Sequence, residues 1–532
     1  MGDSLMLRVA DWVAFHADRT PEKMAFIDQY TGRAFSYAAL HRRTDRLTAY
    51  LKETWQVQPG DVLAILAKNC VEYYEFQYAC MRLGAVMLPL NWRLAIPELL
   101  FILNDANAKG IVYDTDLAAQ IPALCEKSAL RHELCICDSS CRGDVVAYDK
   151  ALKNDYPAVI LPANTTHDTV MTIMYTSGTT GHPKGVLITH GMTFWNAVNI
   201  SVPAGLNHDS VNYVILPTFH TAGLNLYANP IVHYGGTNII AREFDAALTL
   251  KTLSDKKLPV THFFGVPAIY LFLSQHKHFD AADLSRVVSW GCGGAPCPTA
   301  LLEKYAKRDI VIQTGFGMTE TSPTVFLSDK RRALEKPESV GKPLLHTWVR
   351  VVNDNFDDVS VGEVGEVIIG GGNITPGYLN RPDANEANFT VDEHGFRWLH
   401  SGDAGMIDDE GCVYIVDRYK DMYISGGENV YPAEVEQVLF RLEGVADAAV
   451  IGVPDERWGE VGMAILVMQD DCTIHETQFS DYCRDNLAKF KVPQHFVMID
   501  ELPRNAAGKV LKRVLREQFI NHRGENTKDS VY

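Results

Sequence analysis

Short apolar runs alternate with amphipathic stretches along this chain, and the rhythm predicts strands and helices in turn. VLAILA (62–67) is a bounded apolar run of strand length. VEYYEFQYACMRLGA (71–85) then shows an apolar face at helical spacing, and VMLPL (86–90) is again a strand. Strand, helix, strand implies an α/β layer with a largely parallel sheet. MTIMY (171–175) and VLITH (186–190) read as strands on either side of a Gly/Thr-rich loop. Between 350 and 371 the pattern changes to short β runs punctuated by glycine, as in a small barrel or distorted sheet. A second change falls at the charged DRYKD (417–421). Beyond it Pro432 suits a first helical turn and Glu434 its dipole, while Val435, Val438 and Leu439 mark one apolar face. ADAAVIGVPD (446–455) and EVGMAILVMQ (460–469) follow as strands, and the last residues, 521–532, are polar and loosely held. The expected layout is a large N-terminal α/β domain of layered subdomains with a small β-barrel-like part (1–417), a hinge (418–422) and a small mobile α+β domain (423–532).

Composition narrows the function. The 532 residues are too many for one ordinary core, and 47% hydrophobic with 22% charged residues is usual for a globular chain. The balance of 49 Lys+Arg against 66 Asp+Glu gives −17, which disfavours nucleic acid and anionic membranes as partners. A phosphate-bearing ligand must then be met by local cations and backbone amides. Among the 11 cysteines, Cys135, Cys137 and Cys141 form the tightest cluster, but C-x-C-x3-C without a matching second pair reads as reduced thiols rather than a metal site. The first twenty residues are broken by charges, and no run reaches the ~18 apolar residues of a membrane span. A cytoplasmic protein without a transmembrane segment is expected.

The strongest local signal is YTSGTTGHPKG (175–185). Gly178, Gly181 and Gly185 permit tight turns and close approach of a ligand to the backbone. Thr176, Ser177, Thr179 and Thr180 add hydroxyl donors, and Lys184 adds a positive charge. Together they make a phosphate cradle. It is not a Walker A loop, because His182-Pro183 separates Gly181 from Lys184 and a strand, not a helix, follows. The bland alternative is a flexible surface loop. The full string resembles the signature of the adenylate-forming superfamily, which groups acyl-CoA synthetases, adenylation domains of peptide synthetases and beetle luciferases.

Further motifs follow in the order that the resemblance requires. LPTFHTAG (216–223) resembles the next motif and implies that His220 stands at the mouth of the acyl pocket. GGAP (293–296) is similar to the adenine-wall segment, so Gly294, Ala295 and Pro296 would lie against the base. GFGMTE (315–320) resembles the core adenylation motif. The superfamily has Tyr where this chain has Phe316, which keeps base stacking and loses a hydroxyl. It has Gln or Asn where this chain has Thr314, with Gln313 one earlier. The resemblance implies that Phe316 and Gly317 meet the nucleotide, that Thr319 contacts the α-phosphate and that Glu320 holds Mg2+, a hard cation suited to carboxylate oxygen. Ser401-Gly-Asp403 is similar to the ribose motif, and Arg418 adds a cation at the same edge. Lys420 falls at the hinge, Gly426 and Gly427 beside the thiol channel, and Lys509, in LPRNAAGK (502–509), at the catalytic lysine.

The resemblance implies an AMP-forming acid–thiol ligase that uses ATP, Mg2+ and coenzyme A, with a small carboxylic acid as substrate and a homodimer left open. Amino-acid-activating relatives carry an aspartate after the aromatic of the His motif, whereas Phe219 is followed by His220, so an uncharged acid is favoured. Trp290, just before the adenine wall, is expected to narrow the acyl pocket toward medium-chain fatty or aryl acids. The alternatives are an adenylating enzyme with a non-CoA acceptor, a luciferase-like oxidative relative, and a catalytically silent scaffold, against which Lys509 and Glu320 speak.

Overall fold

The computed structural model describes residues 7–137, 145–153, 159, 162, 164–176, 183–418, 421–425, 428–455, 457–469, 476–504 and 510–520. Two large sheets dominate. One has seven strands in the order Val146–Ala147, His132–Ile136, Gly110–Asp114, Val62–Leu66, Val86–Pro89, Val170–Thr176, Lys184–Thr189. All pair in parallel except the last, which closes a hairpin. The other has eight, in the order Thr324–Leu327, Ile312–Gly317, Ser289–Cys292, His262–Gly265, Val211–Val214, Thr237–Ile240, Met24–Asp28, Ala34–Ser36. Its inner strands are parallel and both edge strands antiparallel. The inner strands are buried on both faces and mainly apolar, with buried polar residues such as Asn212, Asn238, His262 and Gln313 among them.

The helix Glu72–Leu83 departs from its pattern. Its sequence predicts one apolar face, yet all twelve residues are buried. The polar side is covered as well, because each charge there meets a partner. Glu75 binds Arg43, Glu72 binds Arg33, and Arg82 binds Asp11 at 2.6 Å and Asp45 at 2.9 Å. Buried charge persists only when paired in this way. Such pairing is invisible to hydrophobic periodicity.

The small β part is a five-stranded antiparallel sheet. Its longest strand, Arg397–Ile407, pairs Gly365–Gly371 on one edge. Its other edge is shared by Phe389–Val391 and Val413–Arg418. The C-terminal part is built on the hairpin of Val445–Asp455 and Gly459–Met468. Helices Pro432–Phe440 and Lys512–Phe519 are tied together by Glu436 and Lys512 at 2.8 Å. Pro432 opens its helix as the sequence predicts, with Val435 and Leu439 fully buried. The chain is thus a large α/β domain followed by a small α+β one. No helix among the described residues is long and apolar enough to cross a membrane. Cys135 is buried against the Thr115 hydroxyl at 3.3 Å, Cys137 is half-buried, and Cys141 lies outside the described residues.

Candidate active site

Four parallel strands of the eight-stranded sheet end side by side: Val211–Val214, His262–Gly265, Ser289–Cys292 and Ile312–Gly317. Three of them run directly into the motifs at 216–223, 293–296 and 315–320. The crevice beyond such strand ends is where open α/β sheets bind ligands. Two glycines show how tightly the segments meet. A Cβ on Gly293 would lie 3.0 Å from the Gly315 carbonyl oxygen, and one on Gly317 only 1.8 Å from the Pro323 oxygen. Gly294 and Pro296 are exposed and Ala295 half-buried. Phe316 packs on Phe326 at 6.0 Å between the large sheet and the small one.

Glu320 sits on the tight turn Thr319–Thr321 and is 6% exposed. Its Oε1 accepts a hydrogen bond from the Tyr378 hydroxyl at 2.9 Å. The Lys184 ammonium stands 4.3 Å above the ring of that same tyrosine. The phosphate-loop lysine and the core-motif glutamate, 136 positions apart by their numbers, are therefore joined through one side chain. Thr176 and Lys184 pair across the hairpin that carries the loop. Ser177, Gly178, Thr179, Thr180 and Gly181 lie outside the described residues.

The His220 segment is anchored from the other sheet. The Asn69 amide donates to the Leu216 carbonyl at 2.9 Å and accepts from the Thr218 N–H at 2.9 Å and its hydroxyl at 3.1 Å. A π-helical turn, Ala222–Leu226, follows, a geometry frequent at functional sites. Burial, aided by the nearby Arg93, pushes the His220 imidazole down to about 4, so it is neutral at physiological pH. Its buried Nε2 has no hydrogen-bond partner among the described residues.

Trp290 does not line this space. Its indole packs in the core against Phe263, Tyr270 and Tyr305, with centroids 5.4, 6.4 and 6.4 Å away. The alternating face of the same strand carries Gly291, whose Cβ would lie 2.3 Å from the Phe264 ring and 3.0 Å from the Tyr227 hydroxyl. Strand alternation puts Trp290 and Gly291 on opposite faces, so Phe264 and Tyr227 are the groups that close in from the glycine's side. The substituted Thr314 donates its hydroxyl to the Ser339 carbonyl at 2.8 Å. Gln313 does not stand in for the missing amide, because it is buried and bonded to the Pro203 and Ser328 carbonyls.

Asp403 is 4% exposed and lies opposite Arg418 in the small sheet, while the Arg418 side chain is outside the described residues. The preceding Gly402 N–H donates to Glu366 Oε1 at 3.0 Å, and Glu366 Oε2 meets His400 Nδ1 at 2.7 Å. Strand Val413–Arg418 is tied back to the core motif through Ser339, whose hydroxyl donates to the Val413 carbonyl at 2.8 Å while its own carbonyl holds Thr314. A broad surface cleft of about 910 Å3 lies beside Gly402 and meets the motif set only there. Lys420, Gly426, Gly427 and Lys509 lie outside the described residues. Ser425 is buried and pairs with Gly459, and Arg504 bridges Val510 on either side of 505–509. Tyr378, Asn69 and Glu366 were not legible as site residues. Only the Pro-Gly-Tyr turn at 376–378 carries any local signal.

Residues 13–379 match the AMP-binding enzyme family, and residues 434–509 match the AMP-binding enzyme C-terminal domain. The chain is 38% identical over 511 residues to a feruloyl-CoA synthase of an Amycolatopsis species, covering 96% of this chain and 99% of that protein. It is 36% identical over 502 residues to a long-chain-fatty-acid–CoA ligase of Mycobacterium tuberculosis, covering 94% and 96%. Its fold superposes with a TM-score of 0.83, at 32% identity, on the o-succinylbenzoate coenzyme A synthetase of Bacillus subtilis in complex with ATP and magnesium, over 95% of this chain and 99% of that one. With both of its domains matched and full-length ligase relatives on either side of the aryl–alkyl divide, this chain belongs to the AMP-binding, adenylate-forming enzyme family as an acyl-CoA ligase.

Proposed function

We propose that the chain joins an uncharged aryl or medium-chain carboxylic acid to coenzyme A through an acyl-adenylate. The observation that supports this reading is the Lys184–Tyr378–Glu320 link, in which a lysine ammonium and a buried carboxylate meet one tyrosine beside the strand ends. Among the described residues no three His, Cys, Asp or Glu side chains gather into a metal cage. A carboxylate such as Glu320 suits Mg2+, which binds through few protein ligands plus phosphates and water. Bound there, the ion would supply positive charge to the phosphates.

In the first half-reaction a substrate carboxylate oxygen bonds to the α-phosphorus and the bond to pyrophosphate breaks. Both reactants are anions, so fixed positive charge and amide dipoles lower the barrier. Thr176, Ser177, Gly178, Thr179, Thr180, Gly181 and Lys184 hold the leaving phosphates, and Thr319 and Lys509 the α-phosphate. Gly294, Ala295, Pro296, Phe316 and Gly317 receive the adenine, and Asp403 with Arg418 the ribose. Neutral His220 hydrogen-bonds the acid without adding charge. In the second, a thiol sulfur bonds to the acyl carbon, the thiol proton is released and AMP leaves with the bonding pair.

Gly426 and Gly427 leave room for the pantetheine arm, and the segment 418–422 with Lys420 is the hinge between the 1–417 and 423–532 parts. Asp417 precedes it and Asp421 lies within it, and both bond to C-terminal elements: Asp417 to the Ala433 N–H at 2.9 Å and Asp421 to Arg516 at 2.8 Å. Supplies of ATP and CoA favour the cytoplasm. The feruloyl-CoA synthase relative, and the Phe264–Tyr227 face opposite Trp290, favour an aryl acid.

The test is a mass-spectrometric endpoint assay with ATP, Mg2+, CoA and a panel of fatty, aryl and dicarboxylic acids, beside a Lys509→Ala control. Aryl or medium-chain thioesters are expected, with adenylate formation lost in the control. Acyl-AMP without thioester would move the acceptor away from CoA. Thioesters confined to long-chain or dicarboxylic acids would refute the substrate reading.

A further inference from the structure

We propose that Tyr378 is a positioning residue that sets Glu320 and Lys184 for the triphosphate. This inference rests on the reading of Glu320 as the Mg2+ ligand. Tyr378 touches both groups, with its hydroxyl on Glu320 Oε1 at 2.9 Å and its ring under the Lys184 ammonium at 4.3 Å. It is 4% exposed. The hydroxyl occupies Oε1 and fixes the carboxylate plane, which leaves Oε2 as the ligand oxygen. The ring face attracts the ammonium and fixes its height.

The tyrosine is itself held from three directions. Its backbone bridges Val186 in the strand that follows the phosphate loop, with Leu187 N–H to Gly377 O at 3.0 Å and Leu379 N–H to Gly185 O at 2.8 Å. Three residues earlier, the Thr375 N–H donates to the Glu320 carbonyl at 2.8 Å. Asn385 Oδ1 accepts from the Tyr378 N–H at 2.7 Å. The segment 375–379 thus laces the phosphate-loop strand to the Glu320 turn, and Tyr378 is where the lacing reaches the side chains. A general core tyrosine would not have its two functional surfaces committed to two groups of one ligand site.

The experiment is calorimetry of ATP binding to the intact protein, with Mg2+ and with EDTA, for wild type, Tyr378→Phe, Tyr378→Leu and Glu320→Gln. Steady-state Mg2+ titrations of adenylation accompany it. The quantity read is the ratio of the two ATP affinities, in which any loss of folded fraction cancels. Tyr378→Phe keeps the ring and should cut the Mg2+-dependent gain about tenfold, the worth of one hydrogen bond to a charged group. Its KM for the acid should be unchanged. Tyr378→Leu should in addition weaken ATP binding in EDTA, because Lys184 loses its platform. A wild-type gain in Tyr378→Phe, alongside a lost gain in Glu320→Gln, overturns the inference while sparing the Glu320 reading. Retention of the gain in Glu320→Gln overturns both. Equal EDTA affinities for the Phe and Leu variants overturn the Lys184 half.

Discussion

Asn69→Ala removes the buried amide that stitches the two large sheets together at the His220 segment. Asn69 is 5% exposed, Leu216 7% and Thr218 fully buried. Three hydrogen bonds disappear, and alanine leaves the Leu216 carbonyl and the Thr218 N–H without their partner in a space that water reaches poorly. An orphaned buried backbone group costs about 1–3 kcal/mol, so the variant should lose about 3 kcal/mol of stability. The functional consequence follows from position, since Thr218 is two residues from His220. With its anchor gone the segment samples other placements, and the KM for the acid should rise while the KM for ATP, set by groups beyond Asn69, stays put. Urea unfolding gives the first number, as the shift of the midpoint multiplied by the slope. Initial rates with each substrate varied give the second. A stability loss below about 1 kcal/mol, the level of an ordinary surface change, would refute the accounting. Equal rises in both KM values would refute the local reading.

Glu366→Ala should raise the KM for ATP about fivefold through loss of the Gly402 and His400 contacts behind Asp403, with the KM for the acid unchanged; equal effects on both would show that Glu366 does not act through the ribose motif. Burial lowers His190 to about 3 and His220, His233 and His262 to about 4, so between pH 6.5 and 4 the unfolded chain binds more protons than the folded one. Stability is then full above pH 6.5 and falls toward pH 4, by about 2 kcal/mol per histidine at pH 5. His262→Gln should reduce the pH slope of unfolding by about one proton, and an unchanged slope would refute the assignment.

What could be read from the chain was what is local. Apolar runs such as 62–67 and 86–90 became buried parallel strands because a bounded run of five or six apolar residues has few other stable placements. The motifs at 216–223, 293–296 and 315–320 were found because each is continuous in sequence and each leaves a strand end. Tyr378 was missed because its partners are 194 and 58 positions away, and nothing near it announces either of them. Asn69 was missed for the same reason, and a lone asparagine after an apolar run reads as a turn residue. Trp290 was misread because a single position does not reveal which side of a strand faces the ligand. The strand's partners decide that, and here Phe263, Tyr270 and Tyr305 claimed the indole.

The global charge of −17 raises the question of how so acidic a chain would hold a triphosphate. The cations that the proposed reading assigns to the nucleotide stand on separate units: Lys184 on the seven-stranded sheet, Arg418 on the small sheet, Lys509 in the C-terminal part. A ligand that spans these units stabilises their assembly in return. Holding them together beforehand by added cations would create repulsion wherever the nucleotide is absent. The contacts between units in the structure include ion pairs, such as Arg242 with Asp114 at 2.6 Å, and buried hydrogen bonds from side chains that carry no charge. The Asn69 amide, the Tyr378 hydroxyl and the Ser339 hydroxyl are neutral, short and buried. Hydrogen bonds from uncharged donors fix geometry without adding charge, and Tyr378 at once orients the Glu320 carboxylate and holds its ring under Lys184.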